Sequence, residues 1–289
     1  MRTPAQLIAL LARETQLCDG PVAHEIGGHP VPDNSRSFAR GEFVLRTGTG
    51  YGFHYRPGKG VAFERGPDAD PDELELWLHG SVYAAIACLH GLYPIHASAV
   101  AWQGAVHAFT GPSGAGKSTL VAGLGQRGLP LFCDDTLLLC LDDPGQLIAL
   151  PGHKRLKLTG AALALTGTAA LAPVGSDTGK SYAAPPGGDW REPLQLASLT
   201  FLEEGPGVLL QSISGAARFT RLEDNHHTQQ LYLEAQAPTR AALFALRARL
   251  THALKMARLV RPFSSEGFAK SLDLAETAIR NFPQESSKP

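Results

Sequence analysis

The chain has 289 residues, 44% hydrophobic and 18% charged, the profile of a globular protein long enough for one large domain or two modest ones. Lys and Arg total 26 and Asp and Glu 27, so the formal charge of −1 gives no electrostatic footing for nucleic acid, and no apolar run is long enough to span a bilayer. With no small-residue cleavage site after the first helix, the chain is expected in the cytoplasm, with its four cysteines, none in a C-x-x-C pair, as reduced thiols.

In chain order, MRTPAQLIALLARETQ reads as a short amphipathic helix and residues 19–34, rich in Gly and Pro, as loop. Alternating segments at 42–46, 51–55 and 61–65, separated by Gly-rich turns, predict hairpins. Pro71 opens a helix over 72–91 with acidic residues in its first turn, where the helix dipole favours them. These parts make an N-terminal, β-rich region over residues 1–91. A second unit, 92–283, begins with strands at 96–102 and 105–110, then a helix at 117–127 ending at Gly128, and a strand at 130–133 running into Asp134 and Asp135. Strands at 136–141 and 146–150 are joined by an Asp-Pro-Gly turn, and an Ala-rich helix at 159–166 precedes a flexible stretch around 175–188. Strands at 196–203 and 207–213 follow, the remainder from Thr239 is largely helical, and 284–289 forms a frayed tail.

Residues 111–120, GPSGAGKSTL, carry the strongest signal, because an apolar strand leads in and a helix leads out. Gly111, Gly114 and Gly116 permit backbone angles that let successive N–H groups converge on one anion, and the helix adds its positive end. Lys117 reaches the β- and γ-phosphates as a point charge, and Ser118 offers its hydroxyl to Mg²⁺. A nucleoside triphosphate, ATP by default, is the implied ligand, with Ser113, Ala115 and Thr119 completing its contacts.

Asp134 and Asp135 follow Lys117 by seventeen and eighteen positions, at a strand end that borders the ligand crevice in an open α/β sheet. Adjacent strand-end side chains diverge, so one carboxylate can help hold Mg²⁺ while the other accepts a proton from an acceptor hydroxyl, as phosphoryl transfer requires. Alone, such a pair would read as a turn or a helix cap.

The run from His96 to Asp135, HASAVAWQGAVHAFTGPSGAGKSTLVAGLGQRGLPLFCDD, resembles the catalytic core of the bacterial HPr serine kinase family. That family places a histidine before two strands, the phosphate loop, a helix, an R-G turn and a strand ending in Asp-Asp. The resemblance covers about forty residues, with a looser echo to about Glu204. Phosphoenolpyruvate carboxykinases share a similar core, so the implied fold is a carboxykinase-like α/β architecture with a helical C-terminus. It implies Lys117 as phosphate ligand, Ser118 and Asp135 at the metal, Asp134 as base, and His96 near the transferring phosphate; a histidine satisfied by backbone at a strand start is the other reading of His96.

Downstream, LPGHKRLKL at 150–158 is similar to the P-G-x-x-R-L-x-L segment of HPr-kinase-like proteins, which puts Arg155 beside the phosphates, and Lys180 matches a lysine that often follows; an exposed surface role stands beside both. The C-terminal glycine- and asparagine-containing segment that the bifunctional members use for the reverse reaction has no counterpart here. HPr is therefore not the implied acceptor. Relatives of this reduced kind resemble kinases encoded beside ribosomally made peptides, lasso-peptide precursors included, which makes a serine in a peptide or small protein the expected partner. A small-molecule kinase on the same core and a nucleotide-sensing module are the alternatives. Asn225-His226-His227 has no ligand-spaced partner, and the arginines at 240, 247, 249, 258 and 261 read as the solvated face of a helix over 240–261, or as a docking face for an acidic peptide. Trp77, Trp102 and Trp190 are too scattered for a nucleic-acid stacking platform, and nothing in the sequence fixes an oligomeric state.

Overall fold

The computed structural model describes residues 2–141, 146–152, 155–175, 178–222 and 227–283. The expected turn at 143–145, Asn225 and His226 of the histidine pair, and the expected tail at 284–289 lie outside the described residues.

Helix α1 (Pro4–Glu14) starts at a capping box in which Thr3 and Gln6 satisfy each other's backbone N–H, with Pro4 at the first helical position. Strands β1 (Leu17–Cys18), β4 (Ser35–Ala39), β5 (Glu42–Arg46), β6 (Tyr51–Arg56) and β7 (Gly60–Arg65) form a sheet ordered β1-β7-β6-β5-β4. A two-rung hairpin, β2 (Glu25–Ile26) and β3 (His29–Pro30), interrupts the stretch expected as loop. Phe43, Phe53, Tyr55 and Val61 are fully buried and pack with Leu7, Leu10 and Leu11 of α1. Strand β4 has no apolar alternation; its register against β5, Phe38 opposite Phe43, is what forms it.

The helix expected over 72–91 exists with a change of winding inside it. Helix α2 (Glu73–Trp77) passes through a π-turn, Leu78–Val82, into α3 (Tyr83–Leu89). Such turns appear mostly as single insertions, often at functional sites. Here the turn brings Gly80 against Asp135: a Cβ on Gly80 would lie 3.9 Å from Asp135 Oδ2.

From Tyr93 the chain runs β8 (Tyr93–Trp102), β9 (Ala105–Thr110), α4 (Lys117–Gln126), β10 (Leu131–Cys133), β11 (Thr136–Leu141), β12 (Leu147–Leu150), β13 (Leu156–Thr159), α5 (Gly160–Thr166), β14 (Ala170–Pro173), β15 (Lys180–Ala183), β16 (Leu194–Glu204), β17 (Leu209–Ser212), α6 (Ala216–Arg221), α7 (His227–Gln236), α8 (Arg240–Ala253), β18 (Lys255–Arg261) and α9 (Ser265–Arg280). Pairing passes from β8 to β9, β16, β12 and β11 and back to β8, so five strands close a ring. Strand β16 is parallel to both β9 and β18, and β17 and β10 extend the sheet. Alternation divides the side chains: Ala97, Ala99 and Ala101 of β8 belong to one core, and Val100 to the core beneath α4 and α9. Gly123 lets those two helices touch, since a Cβ there would lie 2.8 Å from Leu272.

Two expectations fail in this part of the chain. The helix expected over 240–261 ends at Ala253, and 255–261 is strand β18, whose parallel partner β16 lies some fifty residues away and leaves no local mark. The stretch expected to be flexible around 175–188 contains β15, the middle strand of a small sheet ordered β13-β15-β14.

Candidate active site

Strand β9 delivers the chain to the phosphate loop at Thr110, whose hydroxyl donates to His96 O at 2.9 Å and ties the loop to β8. Gly111, Gly114 and Gly116 have φ of +148°, +84° and +81°. Space adds a second demand: a Cβ would lie 2.9 Å from Leu202 O at Gly111, and would collide with Arg261 Nη2 at Gly116. The N-cap of α4 is Gly116, which has no side chain to cap the helix, so the helix presents its positive end at the loop. Lys117, 6% exposed, folds back over the loop and donates to Gly111 O (2.9 Å) and Pro112 O (3.1 Å).

The two aspartates diverge as adjacent residues must. Asp134 is buried: its Oδ1 accepts from Ser118 Oγ at 2.8 Å and Ser98 Oγ at 2.5 Å, and its Oδ2 from Lys157 N at 3.2 Å. Asp135 sits at φ +75°, an angle a side chain seldom adopts, and Thr136 N donating to Asp134 O closes the turn around it. Its Oδ2 accepts from Lys157 Nζ at 2.7 Å. His96 Nδ1 lies 2.9 Å from Asp135 O and 3.3 Å from Oδ1; both are acceptors, so Nδ1 carries the proton. Burial alone would raise the Asp135 pKa, but the His96 hydrogen bond and the Lys157 ammonium outweigh it and hold the carboxyl far below the usual range. Burial likewise favours neutral Lys157, and Asp135 with Asp134 reverses that, keeping it charged.

The loop separates two cavities, with Ser113 and Gly114 on both walls. The smaller, 270 Å³, holds both aspartates, His96, Lys117, Ser118, Thr119, Lys157 and Lys180. The larger, 710 Å³, lies between the loop and the ends of β16 and α6, with Phe201, Arg221 and Phe263 in its walls.

Most of the expected site residues thus meet at one place, and Arg155 does not. It lines neither cavity; its guanidinium pairs with Glu75 and lies 5.3 Å from the centre of the Tyr182 ring. Lys157, two positions on, occupies the place expected of it. Ser98 and Arg261 are further site residues without a motif. Ser98 sits in a run of small strand residues, and Arg261 in a segment that reads as helix. Among the described residues no group of three or more His, Cys, Asp and Glu is placed to hold a metal alone. Ser118 and Asp134 offer a hydroxyl and a carboxylate oxygen side by side, a donor set that suits a hard cation completing its shell with phosphate and water oxygens.

No family model matches the chain, and no curated protein matches it. Among solved structures, it is similar to the Hpr(Ser) kinase/phosphatase from Coxiella burnetii, at 14% identity over 65% of this chain and 97% of that one, with a TM-score of 0.32. A superposition that loose leaves the reading of the site to its own residues. No helix among the described residues is long and apolar enough to cross a membrane.

Proposed function

We propose that the protein is an ATP-dependent, Mg²⁺-requiring serine kinase acting in the cytoplasm on a peptide or small protein, with a ribosomally made precursor of the lasso type as the implied acceptor. The observation that carries the reading is the placement of two carboxylates with different partners beside one phosphate loop: Asp134 on Ser118, Asp135 on Lys157 and His96.

That placement leads us to reverse the roles the resemblance implied. Asp134 shares Oδ1 with Ser118, so these two would hold Mg²⁺, which when bound neutralises phosphate charge and orients the γ-phosphate. Asp135 faces the same cavity with no link to Ser118 and takes the acceptor proton. The nucleoside fits the larger cavity and the acceptor the smaller, with the γ-phosphate at the loop between them. In the transfer, the serine oxygen bonds to the γ-phosphorus, the bond to the β-phosphate oxygen breaks, ADP leaves, and the hydroxyl proton passes to an Asp135 oxygen. His96 and Lys157 hold that carboxylate in place, and Lys157 with Lys180 offsets charge on the transferring group. The support for a peptide acceptor is the resemblance of residues 96–135 and the solvent access of Lys180 at the cavity rim.

Incubation with ATP, Mg²⁺ and serine-containing precursor peptides should add one phosphate to serine, read by mass spectrometry. Transfer only to a small alcohol or sugar would replace the acceptor with a small molecule. Triphosphate binding without transfer to anything would make the protein a nucleotide sensor.

A further inference from the structure

Arg261 closes β18 directly beneath the phosphate loop and is 4% exposed. Its Nη2 donates to Ala115 O at 2.9 Å and reaches Gly116 O at 3.4 Å; the second carbonyl also accepts from Leu120 N in α4. Its Nε has no hydrogen-bond partner. Among the described residues no carboxylate pairs with it, and burial alone bears on its pKa, downward. A buried guanidinium facing only carbonyls is costly unless a counter-charge arrives from elsewhere.

The peptide geometry shows where that charge would come from. No peptide bond is cis, and in a trans peptide the C=O and the next N–H point in opposite directions. With the carbonyls of 115 and 116 turned to Arg261, the N–H groups of Gly116 and Lys117 turn away from it, and both residues line the smaller cavity. A donor on the carbonyl also polarises the peptide and strengthens its N–H. Glycine at 116 is required twice, by its positive φ and because a Cβ would displace the guanidinium.

We propose that Arg261 is a positioning residue of the phosphate site: it fixes the Ala115 and Gly116 carbonyls so that the next two N–H groups face a polyphosphate, and its charge attracts that anion without touching it. The inference rests on the triphosphate reading above, and the experiment separates the two. Inorganic tripolyphosphate and ATP are titrated calorimetrically across a salt series into the parent, Arg261→Met and Arg261→Lys, with near-ultraviolet circular dichroism reporting folding.

Arg261→Met is expected to weaken both ligands about 10–100-fold and to flatten the salt dependence, because a charge that salt screens has gone. Arg261→Lys restores the charge and is expected within roughly fivefold of the parent with the parental salt slope. A folded Arg261→Met with parental affinity and slope overturns the proposal, as does a folded Arg261→Lys that is as weak as the Met variant. If only the Lys variant folds, its affinity and slope decide by the same limits. A chain that folds with neither makes Arg261 structural and overturns it too. A parent that binds neither ligand defeats the triphosphate reading itself.

Discussion

Glu14, the last residue of α1 where that helix meets the N-terminal sheet, and Arg261 at the phosphate loop are buried alike, 2% and 4% exposed, and are treated in opposite ways. Glu14 is saturated: Oε2 accepts from Tyr55 OH at 2.9 Å and Gly58 N at 2.7 Å, and Oε1 from Arg13 at 2.5 Å. Arg261 meets two carbonyls and keeps one N–H unpaired. A charge whose partners are all built in has a structural job. A charge left short of partners beside a glycine loop is arranged for something that arrives.

The widest separation should come from the aspartates. Asp135→Asn is expected to lower single-turnover phosphate transfer by about 10²–10⁴-fold while ATP affinity stays near parental, since a base acts mainly in the transition state. Asp134→Asn should instead raise the Mg²⁺ requirement, with activity partly regained at high Mg²⁺ or with Mn²⁺. The opposite pattern in a metal titration would restore the roles implied by resemblance. Next, Lys117→Ala should cost about 100-fold in ATP affinity, read by calorimetry, with the unfolding midpoint little changed.

On the scaffold side, Glu14→Gln can keep a carbonyl oxygen for Tyr55 OH and Gly58 N but turns an amide N–H₂ towards the Arg13 guanidinium, donor against donor. A loss of about 1–2 kcal/mol in urea unfolding is expected, with ATP affinity untouched. Weakened ATP binding in a folded Glu14→Gln would mean that the N-terminal network reaches the loop.

What the sequence made legible was local. Residues 111–120 show glycine, lysine and serine at fixed offsets because one loop does one job, and Asp134-Asp135 stand out because they end the next strand. Arg261 was hidden by distance: β18 is held by its pairing with β16, and its KMARLVR sequence follows an Ala/Arg-rich helix with no Gly or Pro between. Met256 and Leu259 face opposite cores, and Arg261 lies two residues from Leu259 on the same face, a division that becomes meaningful once both neighbouring strands are in place. Strand β4 is hidden for the same reason, a polar edge defined by register. The π-turn at 78–82 follows a helical pattern that continues through it, so its extra residue leaves no break to read.

His107, at the far end of β9 from the loop, extends the comparison to pH. Its Nδ1 lies 2.9 Å from Ser198 Oγ, and burial pushes its pKa from the usual 6.5 down to about 4. The unfolded chain therefore takes up a proton between those values that the native state refuses. Stability from this group is complete above pH 6.5 and falls as pH drops towards 4, by roughly 2–3 kcal/mol. Comparing urea unfolding at neutral and acid pH for the parent and His107→Gln tests it: the variant should lose less on acidification, and equal losses would mean that the ring is protonated as easily folded as unfolded.

The smallest expected effect belongs to Arg155, and it separates sequence resemblance from geometry most cleanly. Resemblance puts this guanidinium on the transferring phosphate, where its removal should cost several orders of magnitude in turnover. The structure pairs it with Glu75 on α2, with both side chains about half exposed (47% and 49%), and lays it over Tyr182. A solvent-screened pair of that kind contributes about 0–1 kcal/mol. Arg155→Ala should therefore shift the unfolding midpoint slightly and leave turnover and ATP affinity at the parental level, whereas Lys157→Ala, two residues on, should impair transfer by releasing Asp135. Equal damage from the two substitutions would show that Arg155 swings into the cavity when ATP binds, and that the Glu75 pair is only its resting place.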